Sequence, residues 1–347
     1  MSSIVDRVNE TLGPRYADLS VPQFALVVVS LALLVVVAPA LTAVGLMSGT
    51  LLRTLALANI FAIFAMAWDI QSGYTGYISF GHAVLSGAAA YSAALLITHV
   101  VPDINPWLLF PVAVLMALVV GLILAATTIR LSGPYFSLIT LVAGLLFYRS
   151  TRTFSQWTQG EQGLLIGRLP VLPPFDGIFS AFDAEWRFII TVVPMLLIAA
   201  ALLVISRSNV GTVLVAIREN EAAVESAGID TNKFKVWSFV LSSIPMGIGG
   251  FLLAFFDGSV NPTDIVLLDR SVEFIAMAVI GGMGSILGPL AGAFLFVGLR
   301  DAILPAFLGG TERWLALWVI ILVVIVLARD GLFRKLWHRL DDEGDAE

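Results

Sequence analysis

Residues 107–129 read WLLFPVAVLMALVVGLILAATTI, twenty-three side chains without a single charge. At 1.5 Å of rise per residue a helix of that length covers the about 30 Å of hydrocarbon in a bilayer. A helix that is apolar all round belongs in lipid or in a very large core. Comparable blocks run over 23–47, 51–69, 78–100, 134–149, 188–206, 234–256 and 313–329. No soluble core of a 347-residue chain holds that many. Composition agrees: 59% of residues are hydrophobic and 13% charged, against about 45–50% and about 25% in soluble domains. The sequence therefore predicts an all-α polytopic membrane protein.

The stretch 271–307 is too long for one crossing and barely long enough for two. Gly281, Gly282, Gly284, Gly288, Pro289 and Gly292 interrupt it, which predicts discontinuous helices or a re-entrant segment. The count is then eight to ten crossings, and either number puts both termini on one side. With both inside, inward segments hold 11 of the 19 Lys and Arg, as the bias of cytoplasmic loops toward positive charge requires. A membrane domain is expected over 23–330, with an outer loop at 150–187 and an inward loop at 207–233. An acidic, solvated tail follows over 331–347. In the leader, 1–22, Ile4, Val5, Val8 and Leu12 share one helical face, which suits an interfacial helix lying on the membrane. A disordered polar leader is the alternative. Asp6, Glu10 and Asp18 argue against a secretory signal, so the first apolar block reads as a retained anchor.

What the chain lacks narrows its chemistry. Zero cysteines exclude disulfides, thiolate metal sites and cysteine nucleophiles. His82, His99 and His338 form no ligand cluster, so no metal is expected. A net charge of −6 argues against nucleic acid. Lysine occurs only at 233, 235 and 335, never in a GxxxxGK[ST] loop that cradles phosphates. If ATP powers this protein, another chain binds it. Asp69, Glu273 and Asp301 lie at or near block ends and read as interfacial charges rather than ion carriers. With no GxSxG and one candidate histidine base, the chain is not expected to be an enzyme.

Four segments carry mechanism. In GYTGYISFGH, 73–82, Gly73, Gly76 and Gly81 allow close backbone approach or a break. Tyr74, Ser79 and His82 supply donors and acceptors around Phe80, and the small residues Ser86, Ala89, Ala90, Ala93 and Ala94 follow. In LSGPYF, 131–136, Gly133 ends one helix and Pro134 starts the next, with Tyr135 after it and Arg130 at the inner interface. In AIRENEAAVESAGI, 216–229, charges and alanines predict a short helix stopped by Gly228. Arg218, Glu219, Glu221 and Glu225 are expected to face water there, with Asn220, Ala222 and Ala223 between them. That pattern suits either a docking element for a soluble partner or a solvated connector. In VIGGMGSILGPLAGA, 279–293, Gly284, Gly288 and Gly292 form a stripe against which another helix can lie. Gly281 and Gly282 just before it suggest an interrupted helix lining a pathway, and tight packing alone is the other reading.

In order, these segments, with TQGEQGL at 158–164, resemble the LivM-type permease of branched-chain amino acid ABC importers, a family that includes related urea permeases. The resemblance covers roughly residues 50–330. It implies a subunit that moves branched-chain or other apolar amino acids inward across the plasma or inner membrane, with both termini cytoplasmic. It implies as partners a second, LivH-like permease, two ATP-binding cassette subunits, an extracytoplasmic binding protein and membrane lipid. No cofactor is bound by this chain, and ATP is used by the partner ATPase. Residues 218–228 then correspond to the coupling helix, and the glycine-rich segments to the pathway or to helix packing. Asp69 stands where such permeases commonly carry Asn, and Glu225 where a basic residue is frequent. A urea or amide permease is the near alternative, and an ion-coupled secondary transporter the distant one.

Overall fold

The computed structural model describes Thr42 and residues 48–128, 131, 133–173 and 175–327. The expected leader 1–22, most of the first apolar block, Arg130 and the acidic tail 331–347 lie outside the described residues.

Ten helices of more than one turn make up the described chain. They are α1 Gly49–Trp68, α2 His82–Leu95, α3 Phe110–Thr128, α4 Pro134–Thr153, α5 Ala184–Ser206, α6 Asn209–Ser226, α7 Thr231–Asp257, α8 Leu268–Gly281, α9 Leu287–Gly298 and α10 Glu312–Leu327. Among the described residues six helical stretches are long and apolar enough to cross a bilayer: 49–73, 82–100, 106–128, 184–206, 231–257 and 287–307. The family of folds is as composition predicts, an all-α bundle of membrane-spanning helices.

α1 is the axis. Every residue from Ala58 to Trp68 is buried, because α5, α7, α8 and α9 pack around it. Its entry is capped by Ser48, whose hydroxyl accepts from the Leu51 amide at 3.2 Å. Its exit widens into a π-turn over Asp69–Gly73.

α3 shows how such helices find each other when lipid supplies no hydrophobic drive. Ala113, Ala117, Gly121 and Ala125 recur every fourth residue and are buried. α7 lies against them so closely that a Cβ on Gly247 would come 2.9 Å from that of Ala117. The opposite face exposes Leu115, Met116, Val119, Leu122 and Ile123.

The glycine-broken stretch resolves into a hairpin. α8 has 14 residues, about 21 Å of helix, less than a full crossing. α9 continues through a π-turn at Leu299–Ile303 to Phe307 and has the full length. A feature the apolar blocks did not announce is a two-stranded antiparallel ladder, β1 Leu164–Leu165 with β2 Ser259–Val260. It ties the 154–183 loop to the segment after α7. That ladder, the start of α1 and the start of α5 share one end of the bundle: Gly49 lies beside Ala184, and Arg53 stands over Phe256 at 5.8 Å. The end of α1, α6, the start of α7 and the α8–α9 turn share the other.

Candidate functional site

Within the segment 73–82, residues 76–81 are non-helical backbone inside a helical bundle, so their polar groups must be met by side chains. Trp68 Nε1 donates to the Ser79 carbonyl at 2.8 Å. The Ser79 amide donates to Ser72 Oγ at 3.1 Å, and the Phe80 amide to Thr140 Oγ1 at 3.1 Å. Ser137 Oγ donates to the Ile78 carbonyl at 2.6 Å. α2 then starts with the Ala83 amide donating to Ser271 Oγ of α8 at 3.2 Å. Tyr74, Ser79, Gly81 and His82 are buried, Phe80 is half-buried, and Gly76 is exposed. His82 Nε2 lies 2.8 Å from Ser242 Oγ, and its ring stacks on Phe239.

α6 ends beside this segment, and it is kinked. Asn220 leaves helical geometry at φ −161°, ψ 96°, and its side chain caps the next turn by accepting from the Ala223 amide at 3.1 Å. Gly228, at φ +83°, stops the helix. Arg218 Nη1 donates to the Gly73 carbonyl at 2.7 Å. Glu221 accepts from the Tyr77 hydroxyl and pairs with Lys235 of α7, while the Lys235 ammonium sits 4.7 Å above the Tyr77 ring. Arg218 and Glu221 are therefore half-buried internal contacts, and their expected placement toward water is corrected. Glu219, Asn220, Ala222, Ala223, Glu225 and Gly228 are exposed. The reason is the kink at Asn220: it lets Arg218 before it and Glu221 after it both reach 73–77.

Burial pushes the Glu221 carboxyl upward, but hydrogen bonds from Lys235 and Tyr77 outweigh it and hold it below the ordinary carboxylate range. Burial and the same hydrogen bond push the Tyr77 phenol up. A depressed carboxylate adds stability that is complete above its unfolded value and is lost as pH falls through its folded value. Proteolysis within 219–228 is accordingly expected to stay flat from about pH 8 to 5 and to rise below about pH 4. A rise already near pH 6 would refute the clasp.

Asp69, expected at an interface, is wholly buried. Its Oδ1 accepts from the Gly284 amide at 2.8 Å, because the π-turn brings the end of α1 against the α8–α9 turn. Gly281, Gly282, Gly284 and Gly288 meet there. A Cβ on Gly281 would overlap the Gly288 carbonyl, and one on Gly288 would come 2.6 Å from the Gly282 carbonyl. Gly282 and Gly284 take φ of +113° and +79°, as this turn requires. The close packing of the stripe is thus within the chain.

Glu273, also expected at an interface, is buried and paired with Arg270 at 2.9 Å and Arg300 at 3.4 Å. Asp301 is half-buried and bonds Arg300 at 2.8 Å. The second motif stands apart: Gly133, Pro134 and Tyr135 are exposed where α4 begins. Phe136 reaches the site, packing on Tyr77 and Phe239. Tyr77, Lys235, Ser242 and Ser271 were not singled out from sequence. The scarcity of lysine was a usable signal for Lys235, since two of only three flank one inward loop. Among the described residues no cluster of metal-ligating side chains occurs.

Residues 50–328 match the family model described as branched-chain amino acid transport system / permease component. The chain is 28% identical over 264 residues to the high-affinity branched-chain amino acid transport system permease protein LivM of Escherichia coli strain K12, covering 71% of this chain and 61% of that relative. It is 22% identical over 297 residues to LivH of Salmonella typhimurium, covering 80% and 92%. To the permease protein BraD of Pseudomonas aeruginosa it is 22% identical over 300 residues, covering 82% and 95%. The chain thus spans about three fifths of the length of the LivM relative. No solved structure matches significantly. A match over most of the chain, on a bundle of membrane-spanning helices, makes this a multi-pass membrane protein belonging to the permease-component family of branched-chain amino acid transport systems.

Proposed function

We propose that this chain is a permease subunit of an ABC importer that carries branched-chain or other apolar amino acids into the cell, powered by separate ATPase subunits. The observation that carries the reading is α6. A kinked and separately capped segment, 219–228, exposed except at Glu221 and Val224, is braced on the membrane domain by Arg218 and Glu221, which is the mechanics a docking element for a soluble motor needs. The family match supports the substrate class, and similarity to both LivM and LivH supports a paired second permease. An extracytoplasmic binding protein would meet the end of the bundle that carries the β ladder. With the docking end cytoplasmic, both termini lie in the cytoplasm of a plasma or inner membrane. The chain carries out no chemistry and holds no cofactor; the partner ATPase uses the ATP.

Glu273 is neutralised by arginines and Asp69 Oδ1 is held by a backbone amide, and the family match does not favour the ion-coupled reading. Purification from native membranes in mild detergent is expected to recover a second permease and Walker-motif ATPases, with leucine uptake in proteoliposomes following ATP. A chain that purifies alone and whose uptake follows an ion gradient would refute the proposal. Glu221→Lys sets two ammonium groups against each other beside Tyr77, and it is expected to lower uptake per ATP by about tenfold while the protein remains in the membrane. Normal uptake by that variant would sink the docking assignment.

A further inference from the structure

Contacts run without a gap from the exposed segment 219–228 to the glycine turn of the α8–α9 hairpin. Arg218 and Glu221 flank the Asn220 kink, and both grip the 73–77 backbone or its side chains. The carbonyl that Arg218 holds belongs to Gly73, the last residue of the π-turn. Gly73 touches Asp69 in turn: a Cβ there would overlap Asp69 Oδ1 and come 2.9 Å from the Gly284 amide nitrogen. Asp69 Oδ1 then takes the Gly284 amide, 215 residues away in sequence.

Asp69 is a costly acceptor for the backbone of that turn, where the Gly284 amide donates to it and the Ser285 amide also faces it. It is wholly buried, and its Oδ2 lacks a well-aligned hydrogen-bond partner among the described residues. A carboxylate taken wholly out of water carries a desolvation penalty that backbone hydrogen bonds offset only in part. The π-turn is a second local cost at the same place, of the kind that marks positions held for function. What both achieve is position: they put a rigid acceptor between the seat of α6 and a turn whose glycines take unusual backbone angles.

We propose that Asp69 is a positioning residue of transport, joining the seat of α6 to the Gly282–Ile286 turn so that displacement of 219–228 moves the α8–α9 hairpin with it. This rests on the docking reading of 219–228 given above. Asp69 touches neither substrate nor nucleotide in this scheme. It acts through Gly284, and the hairpin carries the movement along α1 into the bundle core.

Hydrogen exchange on the intact complex from native membranes, with and without a non-hydrolysable ATP analogue, tests the linkage. In the wild type, protection is expected to change at both 219–228 and 282–286 when the analogue binds, by about tenfold or more. In Asp69→Ala the response at 219–228 persists and that at 282–286 is lost. In Asp69→Asn, which keeps an oxygen for the Gly284 amide, both persist. A residue that merely stabilised the turn would raise exchange at 282–286 equally in the two nucleotide states, and that outcome overturns the proposal. So does a wild-type complex that responds at 219–228 and not at 282–286, a result readable even if no variant assembles. A wild type silent at 219–228 removes the docking reading as well.

Discussion

Glu273→Ala is expected to destabilise the folded chain by about 3 kcal/mol, because it strips the shared carboxylate from buried Arg300 and half-buried Arg270. Arg270 and Arg300 both donate to Glu273 Oε2, and both guanidinium groups lie over the Phe61 ring, at 5.6 and 4.8 Å. Arg300 keeps Asp301, which holds the loss toward the low end of the about 3–5 kcal/mol seen when a buried pair is broken. Replacing both partners, as Glu273→Leu with Arg300→Met, is expected to recover little of that loss, since it takes Arg300 from Asp301 and still leaves Arg270 without Glu273. The comparison is Glu161→Ala: its pair with Arg152 has side chains 60% and 41% exposed, so less than about 1 kcal/mol is at stake. Thermal unfolding in detergent reads all three. Equal shifts for Glu273→Ala and Glu161→Ala would show that the inner cluster is solvated.

Gly281→Leu should have the largest effect of any single substitution considered. α8 and α9 touch through backbone at Gly281 and Gly288, and again where a Cβ on Gly292 would overlap the Met277 carbonyl. No rotamer relieves a clash between a Cβ and a carbonyl oxygen. Even Gly281→Ala is expected to cost about 3 kcal/mol, and leucine to leave no folded chain in the membrane. Gly288→Leu breaks the same hairpin, so whatever assembly it blocks fails because this chain's own fold fails. Gly298 on α9 supplies the control: nothing lies within 4 Å of a Cβ there, and Gly298→Ala is expected to be neutral or to gain up to about 1 kcal/mol of helix propensity. Membrane-inserted yield and detergent melting separate the cases. Normal yield of Gly281→Leu would mean that the hairpin is not packed backbone to backbone.

The sequence alone determined the solvent, the helical class and most of the breaks. Long charge-free blocks are legible because only lipid tolerates them. Gly133–Pro134, Gly228 and the glycines at 281–288 are legible because turns and stops need their backbone freedom. Which face of each helix is buried was not legible. Lipid is as apolar as a neighbouring helix, so nothing in composition separates α3, which exposes one face to the outside, from α1, buried on every side from Ala58 to Trp68. Charges failed for a related reason: distance from a block end does not say whether a partner waits across the bundle. Glu273 meets Arg300, 27 residues on, Glu221 meets Tyr77 across 144, and Asp69 meets Gly284 across 215. Those pairings, the β ladder and the kink at Asn220 were decided by tertiary structure, because a hydrogen bond depends on where the folded backbone places two groups, and no local pattern records that.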